Sequence, residues 1–184
     1  MNKEELGKLY PIKIVPYDTS WSSIFEKEKE AIIKILGSKV VLRVEHIGST
    51  AVPNLSAKPT IDLLVEISED TGIKDLIISK MTNNHYIHMK EQDKHLMFVK
   101  GYTPTGLEQI SFHIHIGTQA HDFLWDRICF RDFLRLNPTV ANEYEQLKLN
   151  LAKIYKHDRE AYTESKTEFI SKITNVAKAD LKKS

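Results

Sequence analysis

The chain has 184 residues, of which 41% are hydrophobic and 28% are charged, a composition typical of a globular protein. This length suffices for a sizeable hydrophobic core, and we predict a single domain over residues 1–184. The formal net charge of +1 excludes a strong global preference for nucleic acid or for acidic membranes.

Targeting signals and disulfide bonds are not expected from this sequence. No apolar run approaches the roughly 18 to 20 residues of a membrane span, and the polar, acidic start of the chain is unlike a signal peptide. The single cysteine, Cys129, excludes an intrachain disulfide bond and fits a reducing compartment. We therefore predict a cytoplasmic protein, and the scattered lysines form no stripe typical of nucleic-acid binding.

The N-terminal part of the chain predicts strands alternating with a helix. Residues 12–15, which lie between two prolines, predict a short edge strand. Polar residues at positions 18–20 can cap a helix over residues 22–36. Runs of β-branched residues then predict two strands, over residues 40–47 and 61–67.

The middle of the chain predicts one helix and three strands. The helix covers residues 73–81, and Asp70 can cap it. The strands are expected over residues 85–89, 95–102 and 109–116. The polar residues 90–93 indicate that the first two of these strands form a hairpin.

After Gly117 the apolar residues recur at helical spacing to the end of the chain. The pattern predicts a helix over residues 122–136 and a second helix from Asn137-Pro138, where proline follows the N-cap. His157-Asp158 separates this helix from a last one. We therefore predict an α/β or α+β fold, in which helices flank a mixed β-sheet and the C-terminal third is helical.

The turn between the two β-branched strands carries candidate ligand-binding groups. Gly48 allows a close backbone approach to a ligand, and Ser49 and Thr50 add hydroxyls beside it. Asp62 lies inside an apolar run, where a carboxylate is costly unless it is paired or bound to a metal. The alternatives are a plain turn at Gly48 and a structural Asp62 paired with Lys58 or an arginine.

Three histidines are candidate metal ligands. His113 and His115 are two residues apart in a predicted strand and therefore share a face. If this strand neighbours that of Asp62, two imidazoles and a carboxylate converge as a site for one divalent ion, with His46 as a fourth ligand. His115 is also a candidate general base. The alternatives are solvent-facing histidines on a half-buried strand and a structural His46.

Cationic side chains are candidate phosphate contacts. Lys58 offers a point charge beside the predicted turn, or is a solvated loop residue. Arg131 shares a helix face with Arg127 and Arg135 and offers bidentate bonds to a phosphate. The alternative for this row is solvation or pairing with acids such as Asp132. Four further residues are spaced to line one side of a pocket, although the two tyrosines also suit core packing: Tyr144, Lys148, Tyr162 and Lys166.

Five stretches follow one another along most of the chain in an order shared with a known family. They cover residues 17–21, 45–53, 57–59, 113–116 and 130–135. Together they are similar to the GrpB-like family of small bacterial proteins. That family is assigned to the nucleotidyltransferase superfamily, so the resemblance implies a mixed sheet flanked by helices and a nucleotide or other phosphate-bearing ligand.

The nucleotidyltransferase pattern consists of Gly, then Gly or Ser, a spacer, and two acids separated by one apolar residue. Gly48-Ser49 and Asp62 match this pattern, but Leu64 stands where the second acid is expected. In such enzymes the carboxylates hold two divalent ions that bridge the nucleotide phosphates. The resemblance thus implies nucleotidyl transfer with Mg²⁺, Mn²⁺ or Zn²⁺, whereas Leu64 favours a non-catalytic nucleotide or coenzyme sensor.

A protein-interaction module is a third interpretation, with the helical C-terminal third as the contact surface. Members of the GrpB-like family also occur fused to dephospho-coenzyme A kinase. The resemblance therefore also implies a protein partner and a context in coenzyme A metabolism.

Overall fold

The computed structural model describes residues 3–69, 72–90 and 95–182. Its helices are α1 (Lys3–Leu9), α2 (Ser20–Leu36), α3 (Lys74–Asn83), α4 (Asp122–Leu136), α5 (Pro138–Ile154), α6 (Arg159–Glu164) and α7 (Thr167–Leu181). Its strands are β1 (Val41–Ile47), β2 (Thr60–Ile67), β3 (Ile87–His88), β4 (Leu96–Thr103) and β5 (Gly106–Gly117). The predicted α/β fold with a helical C-terminal part is confirmed.

The strands form one mixed sheet in the order β1-β2-β5-β4-β3. The central pair, β2 and β5, is parallel, and the other pairs are antiparallel. In the parallel pair Asp62 lies opposite His113, and Leu64 lies opposite His115. The sheet therefore places the predicted carboxylate and imidazoles on neighbouring strands.

The two faces of the sheet have different roles. On one face, Leu63 and Ile114 pack with Ile32 of α2 in the main hydrophobic core. Side chains alternate along each strand, so Asp62 and His113 project from the opposite face, towards α4, α5 and α7. This second face carries the candidate site.

Most helix boundaries follow the local sequence signals. The α4 helix covers the predicted range, and α5 begins at Pro138 directly after Asn137. Gly37, with φ of 96°, ends α2. Asp158 caps α6, since its Oδ1 accepts a hydrogen bond of 3.0 Å from the amide of Ala161. The predicted cap at Asp70 and residues 91–93 of the predicted hairpin connection 90–93 lie outside the described residues.

The strand predictions for residues 12–15 and 85–89 were wrong in extent. Only Val15 forms a bridge, to Ala57, and the amide of Ile12 bonds instead to the carbonyl of Lys156. The β3 strand is shorter because the amide of Tyr86 bonds to Met81 at the end of α3. The α1 helix is an additional element that the sequence pattern does not predict.

Membrane insertion through a helix finds no support within the described ranges. None of the helices there has both the length and the apolar content that crossing a bilayer requires.

Candidate ligand-binding site

A cavity of about 740 Å³ lies between the sheet face that carries Asp62 and helices α4, α5 and α7. Its wall combines the turn after β1, strand residues of β2 and β5, and side chains from the three helices. Pockets for small molecules typically have volumes of about 300 to 1,000 Å³. The cavity therefore has room for a ligand of the size of a nucleotide.

Gly48 brings the backbone into direct contact with Asp62. Its φ of 74° and ψ of −173° fall in a region that is essentially restricted to glycine. A Cβ at this position would lie 2.3 Å from Oδ2 of Asp62. The glycine of the predicted motif is thus required by the carboxylate that packs against it.

Both hydroxyl residues after Gly48 line the cavity. The Ser49 side chain interacts there with the Tyr144 hydroxyl. Thr50 is buried, donates a hydrogen bond of 3.1 Å to the carbonyl of Thr60, and lies 3.0 Å from Nε2 of His46. The Thr50 hydroxyl therefore already has two protein partners.

Asp62 ends a chain of hydrogen bonds that begins at Arg159. The Arg159 guanidinium donates to the Tyr102 hydroxyl over 2.9 Å, and this hydroxyl lies 2.8 Å from Nε2 of His113. Nδ1 of His113 lies 3.1 Å from Oδ1 of Asp62. Tyr102 and Asp62 thus engage both ring nitrogens of His113, and the chain fixes the orientation of the imidazole and the carboxylate.

The surroundings of Asp62 favour its charged form. Burial alone raises the pKa of the Asp62 carboxyl, but the hydrogen bond and charge of His113 and the charges of Lys58 and Arg127 lower it. The net pKa lies below the ordinary value. The cavity thus contains one ionised carboxylate with a fixed orientation.

His115 is engaged at both ring nitrogens. Nη1 of Arg127 lies 3.0 Å from its Nε2, and Nε2 of His95 lies 2.8 Å from its Nδ1. Burial, followed by the charge of Arg127, keeps the pKa of His115 well below its ordinary value. His115 faces the cavity as a neutral ring whose nitrogens have protein partners.

His46 lies on the other face of the sheet. It pairs with Leu63 across the β1–β2 ladder, and its ring stacks on Phe25 at a centroid distance of 4.6 Å. Burial lowers the pKa of His46 to about 4. The structure therefore does not bring His46 to Asp62 and the other two predicted metal ligands.

The described residues do not fit a two-carboxylate metal clamp. Leu64 is 0% exposed and packs with Ile47 and Leu124. Glu66, the next acid on the strand, accepts a hydrogen bond of 3.0 Å from Arg43. Within the described part of the chain, no group of three or more His, Cys, Asp or Glu side chains is placed to hold a metal ion.

Three lysines face the cavity without a carboxylate partner among the described residues: Lys58, Lys148 and Lys166. Nζ of Lys148, a residue only 2% exposed, donates to the carbonyl of Ser56. The Nζ atoms of Lys58 and Lys166 lie 5.4 Å and 4.1 Å from the ring centroid of Tyr162. We call these three residues the lysine cluster.

Burial lowers the pKa of each ammonium group in the lysine cluster. The pKa falls to about 7 for Lys58, where the charge of Arg159 adds to the effect. It falls to about 7 for Lys148, next to the charge of Lys166, and to about 8 for Lys166. These shifts have the direction expected for cations that have lost water, and the charges of Asp62 on Lys58 and Lys166 and of Glu145 on Lys148 offset only part of that loss.

Arg131 lies outside the cavity wall. Its guanidinium donates to Oε2 of Glu45 over 2.7 Å, to the carbonyl of His46 over 2.8 Å and to Oδ1 of Asp132 over 2.8 Å. The hydrogen bonds to Asp132 and Glu45 raise the pKa of Arg131 above its ordinary value, although burial opposes them. Arg131 connects α4 to β1, and the predicted phosphate contact has no support from this position.

These features define a mixed α/β protein with a cavity in which lysines and an arginine surround one oriented carboxylate. The family model described as GrpB protein matches residues 11–176. The chain therefore belongs to the GrpB family.

Relatives and a solved structure agree with this assignment. The chain is 34% identical to the glutamate-rich protein GrpB of Alkalihalophilus pseudofirmus over 166 residues, which cover 88% of this chain and 93% of that protein. It is 31% identical to UPF0157 protein YqkA of Bacillus subtilis, over 92% of this chain but only 49% of the relative. The crystal structure of conserved protein GrpB from Enterococcus faecalis superposes with a TM-score of 0.78 at 34% identity, covering 90% of this chain and 96% of that one.

Three residues of the site escape prediction from the sequence: His95, Tyr102 and Arg159. Each reaches a motif residue only through a tertiary contact, with His115 in the first case and with the His113 chain in the other two. Lys148 and Lys166 line the cavity, as their helical spacing predicts.

Proposed function

We propose that this GrpB protein binds a phosphate-bearing ligand in the cavity, with a nucleotide as the first candidate. The observation that carries the proposal is the lysine cluster, three partly or fully buried ammonium groups around one cavity that form no ion pair with a described carboxylate. Buried cations are costly unless an anion compensates them. A phosphate group supplies several anionic oxygens at once and suits lysine as a point charge.

The position of the lysine cluster supports the same proposal. Ser49 and the Gly48 turn lie on the wall of the same cavity, as does the oriented carboxylate of Asp62. Aromatic rings of Phe130 and Tyr144 also line it and offer apolar surface to a base or another ring. The cavity therefore combines charge for a phosphate with apolar surface for the rest of the ligand.

Nucleotidyl transfer to a small acceptor is the second candidate function. The hydrogen-bond chain to Asp62 favours it, because an oriented carboxylate can accept a proton from an attacking hydroxyl. Leu64, at the place of the second acid, favours a nucleotide or coenzyme sensor instead. A divalent ion remains a prediction, and it would enter with the ligand phosphates near Asp62.

Thermal unfolding with a ligand panel tests the proposal. The panel contains nucleoside triphosphates and coenzyme A precursors, each alone and with Mg²⁺, Mn²⁺ or Zn²⁺. A ligand at 100 times its Kd adds about 2.7 kcal/mol to the free energy of unfolding, which raises Tm by roughly 5 to 10 °C for a protein of this size. The variants are Lys148→Met, Lys153→Met as an exposed control on the same helix, and Asp62→Asn.

We expect a shift with at least one phosphate ligand that is lost in Lys148→Met and kept in Lys153→Met. A shift that also requires a metal ion and disappears in Asp62→Asn would favour nucleotidyl transfer and justify a turnover assay. Equal shifts in both lysine variants, or no shift with any ligand, would reject the proposed site.

A further inference from the structure

Arg127 is a further cation of the cavity and does not belong to the lysine cluster. It lines the cavity from α4, and no described carboxylate forms an ion pair with it. Two other charged residues of α4 do form ion pairs, since Asp126 binds Lys178 over 2.7 Å and Arg131 binds Glu45 over 2.7 Å. Arg127 thus keeps N–H groups for a partner that the described side chains do not supply.

Two buried histidines set the orientation of this guanidinium. An arginine side chain only donates hydrogen bonds, so Nε2 of His115 accepts from Arg127 and the proton of His115 is on Nδ1. This Nδ1–H donates to Nε2 of His95, which leaves the proton of His95 on Nδ1. Burial lowers the pKa of His95 to about 4 and therefore keeps this ring neutral as well.

Arg127 and Lys58 of the lysine cluster approach Asp62 from opposite directions along the strand. Lys58 precedes Asp62 by four residues, whereas His115, the partner of Arg127, pairs with Leu64 two residues beyond Asp62. Lys58 and Arg127 both act on the carboxylate of Asp62 through their charges. Along β2, the cavity therefore has Lys58 on one side of the Asp62 carboxylate and Arg127 on the other.

We propose that Arg127 is a second anion subsite, held in place by the positioning residues His115 and His95, and that the ligand carries two anionic groups. One group is the phosphate at the lysine cluster, and the other, a further phosphate or a carboxylate, lies at Arg127 and accepts its N–H groups. Between them, Asp62 accepts a hydrogen bond from a hydroxyl or amino group of the ligand. This inference rests on the proposed function.

Calorimetric titration with anions of one or two charged groups tests it. The probes are inorganic phosphate, tripolyphosphate, which has two terminal phosphates, and 3-phosphonopropionate, which joins a phosphonate to a carboxylate. They are titrated into the wild type, Arg127→Gln, Arg127→Lys, which keeps the charge without the planar fork, and Arg43→Gln, a control on an exposed strand position. Arg127→Lys also serves if Arg127→Gln does not fold.

We expect Arg127→Gln to weaken at least one two-group probe by about tenfold or more, a difference of about 1.4 kcal/mol, and to change phosphate binding by less than about twofold on the same scale. His115→Gln should also weaken binding of a probe with two anionic groups more than binding of inorganic phosphate. General destabilisation of the protein would weaken both alike. The two-group probe that responds identifies the second anionic group as phosphate or carboxylate.

Equal weakening of all three probes would place Arg127 in the phosphate subsite and overturn the inference. No weakening of either two-group probe would overturn it as well. Both results leave the proposed function standing if Lys148→Met abolishes phosphate binding. A wild type that binds none of the probes would remove the proposed function together with the inference.

Discussion

Gly48 and Asp62 are packed so closely that no side chain fits between them. A Cβ on Gly48 would lie 2.3 Å from Oδ2 and 3.0 Å from Cγ of Asp62. The positive φ of Gly48 adds a backbone requirement to this steric one. The glycine and the carboxylate, which the sequence shows as two separated motif residues, are therefore one structural unit.

Gly48→Ala should destabilise the protein by about 2 to 4 kcal/mol, because backbone strain and a steric clash act together. Gly37→Ala is the matched control, since Gly37 also has a positive φ but would have no atom within 4 Å of its Cβ. Chemical denaturation of both variants measures the difference. Adding Asp62→Ala to Gly48→Ala should recover part of the loss, and no recovery would contradict a clash with the carboxylate.

Stability should fall as the pH drops from about 6.5 to about 4. Burial lowers the pKa of His46 and His95 to about 4 and that of His115 well below its ordinary value. The unfolded chain therefore binds more protons than the folded chain in this range, and the free energy of unfolding decreases as the pH falls. Thermal unfolding at a series of pH values checks this direction.

His46→Phe measures how much one of the three histidines contributes to this pH dependence. It keeps a ring stacked on Phe25 and removes the titrating group, so the slope should become shallower. His85→Asn, at an exposed position with positive φ, is the control substitution. A wild type whose stability does not change between these pH values would contradict the prediction that the three buried histidines are uncharged in the folded protein.

Anion affinity should decrease as the pH rises from 6 to 9 by about tenfold or more, because ammonium groups with pKa values near 7 to 8 lose their protons. Sulfate is the probe of choice, since it keeps its charge, whereas a phosphate ester changes charge with a second pKa of about 6. Titration calorimetry provides the affinity at each pH. An affinity for sulfate that is constant over this range would argue against the lysine cluster as its site.

Arg131 should matter for stability and not for ligand binding. Arg131→Gln removes the hydrogen bonds to Glu45, His46 and Asp132 and should cost about 2 to 3 kcal/mol, less than for a fully buried pair because both acids are partly exposed. Its affinity for phosphate ligands should remain within about twofold of the wild type. If the folded Arg131→Gln variant does not bind phosphate, the prediction is wrong and Arg131 contributes to ligand binding.

The sequence predicts the elements whose signals are local and leaves open the contacts that depend on register. Residues 122–136 and the Asn137-Pro138 start are read correctly because helical periodicity and capping lie within one segment. The pairing of Asp62 with His113 is anticipated only on the condition that their strands are neighbours, which β2 and β5 are. His46 cannot be assigned to a face from its own strand, because the face depends on its partner Leu63.

The roles of the cations were equally dependent on tertiary structure. Arg127 and Arg131 share a helix face by spacing, yet one lines the cavity and the other binds Glu45 of β1. The distinction comes from where α4 crosses the sheet, a packing relationship that helical periodicity does not encode.

A crystal structure of the protein with a non-hydrolysable nucleoside triphosphate analogue tests the central claim most directly. The account predicts phosphate oxygens at about 2.7 to 2.9 Å from the Nζ atoms of the lysine cluster, with the nucleoside inside the cavity. Phosphates bound elsewhere on the protein, with the lysine cluster still without an anionic partner, would contradict it.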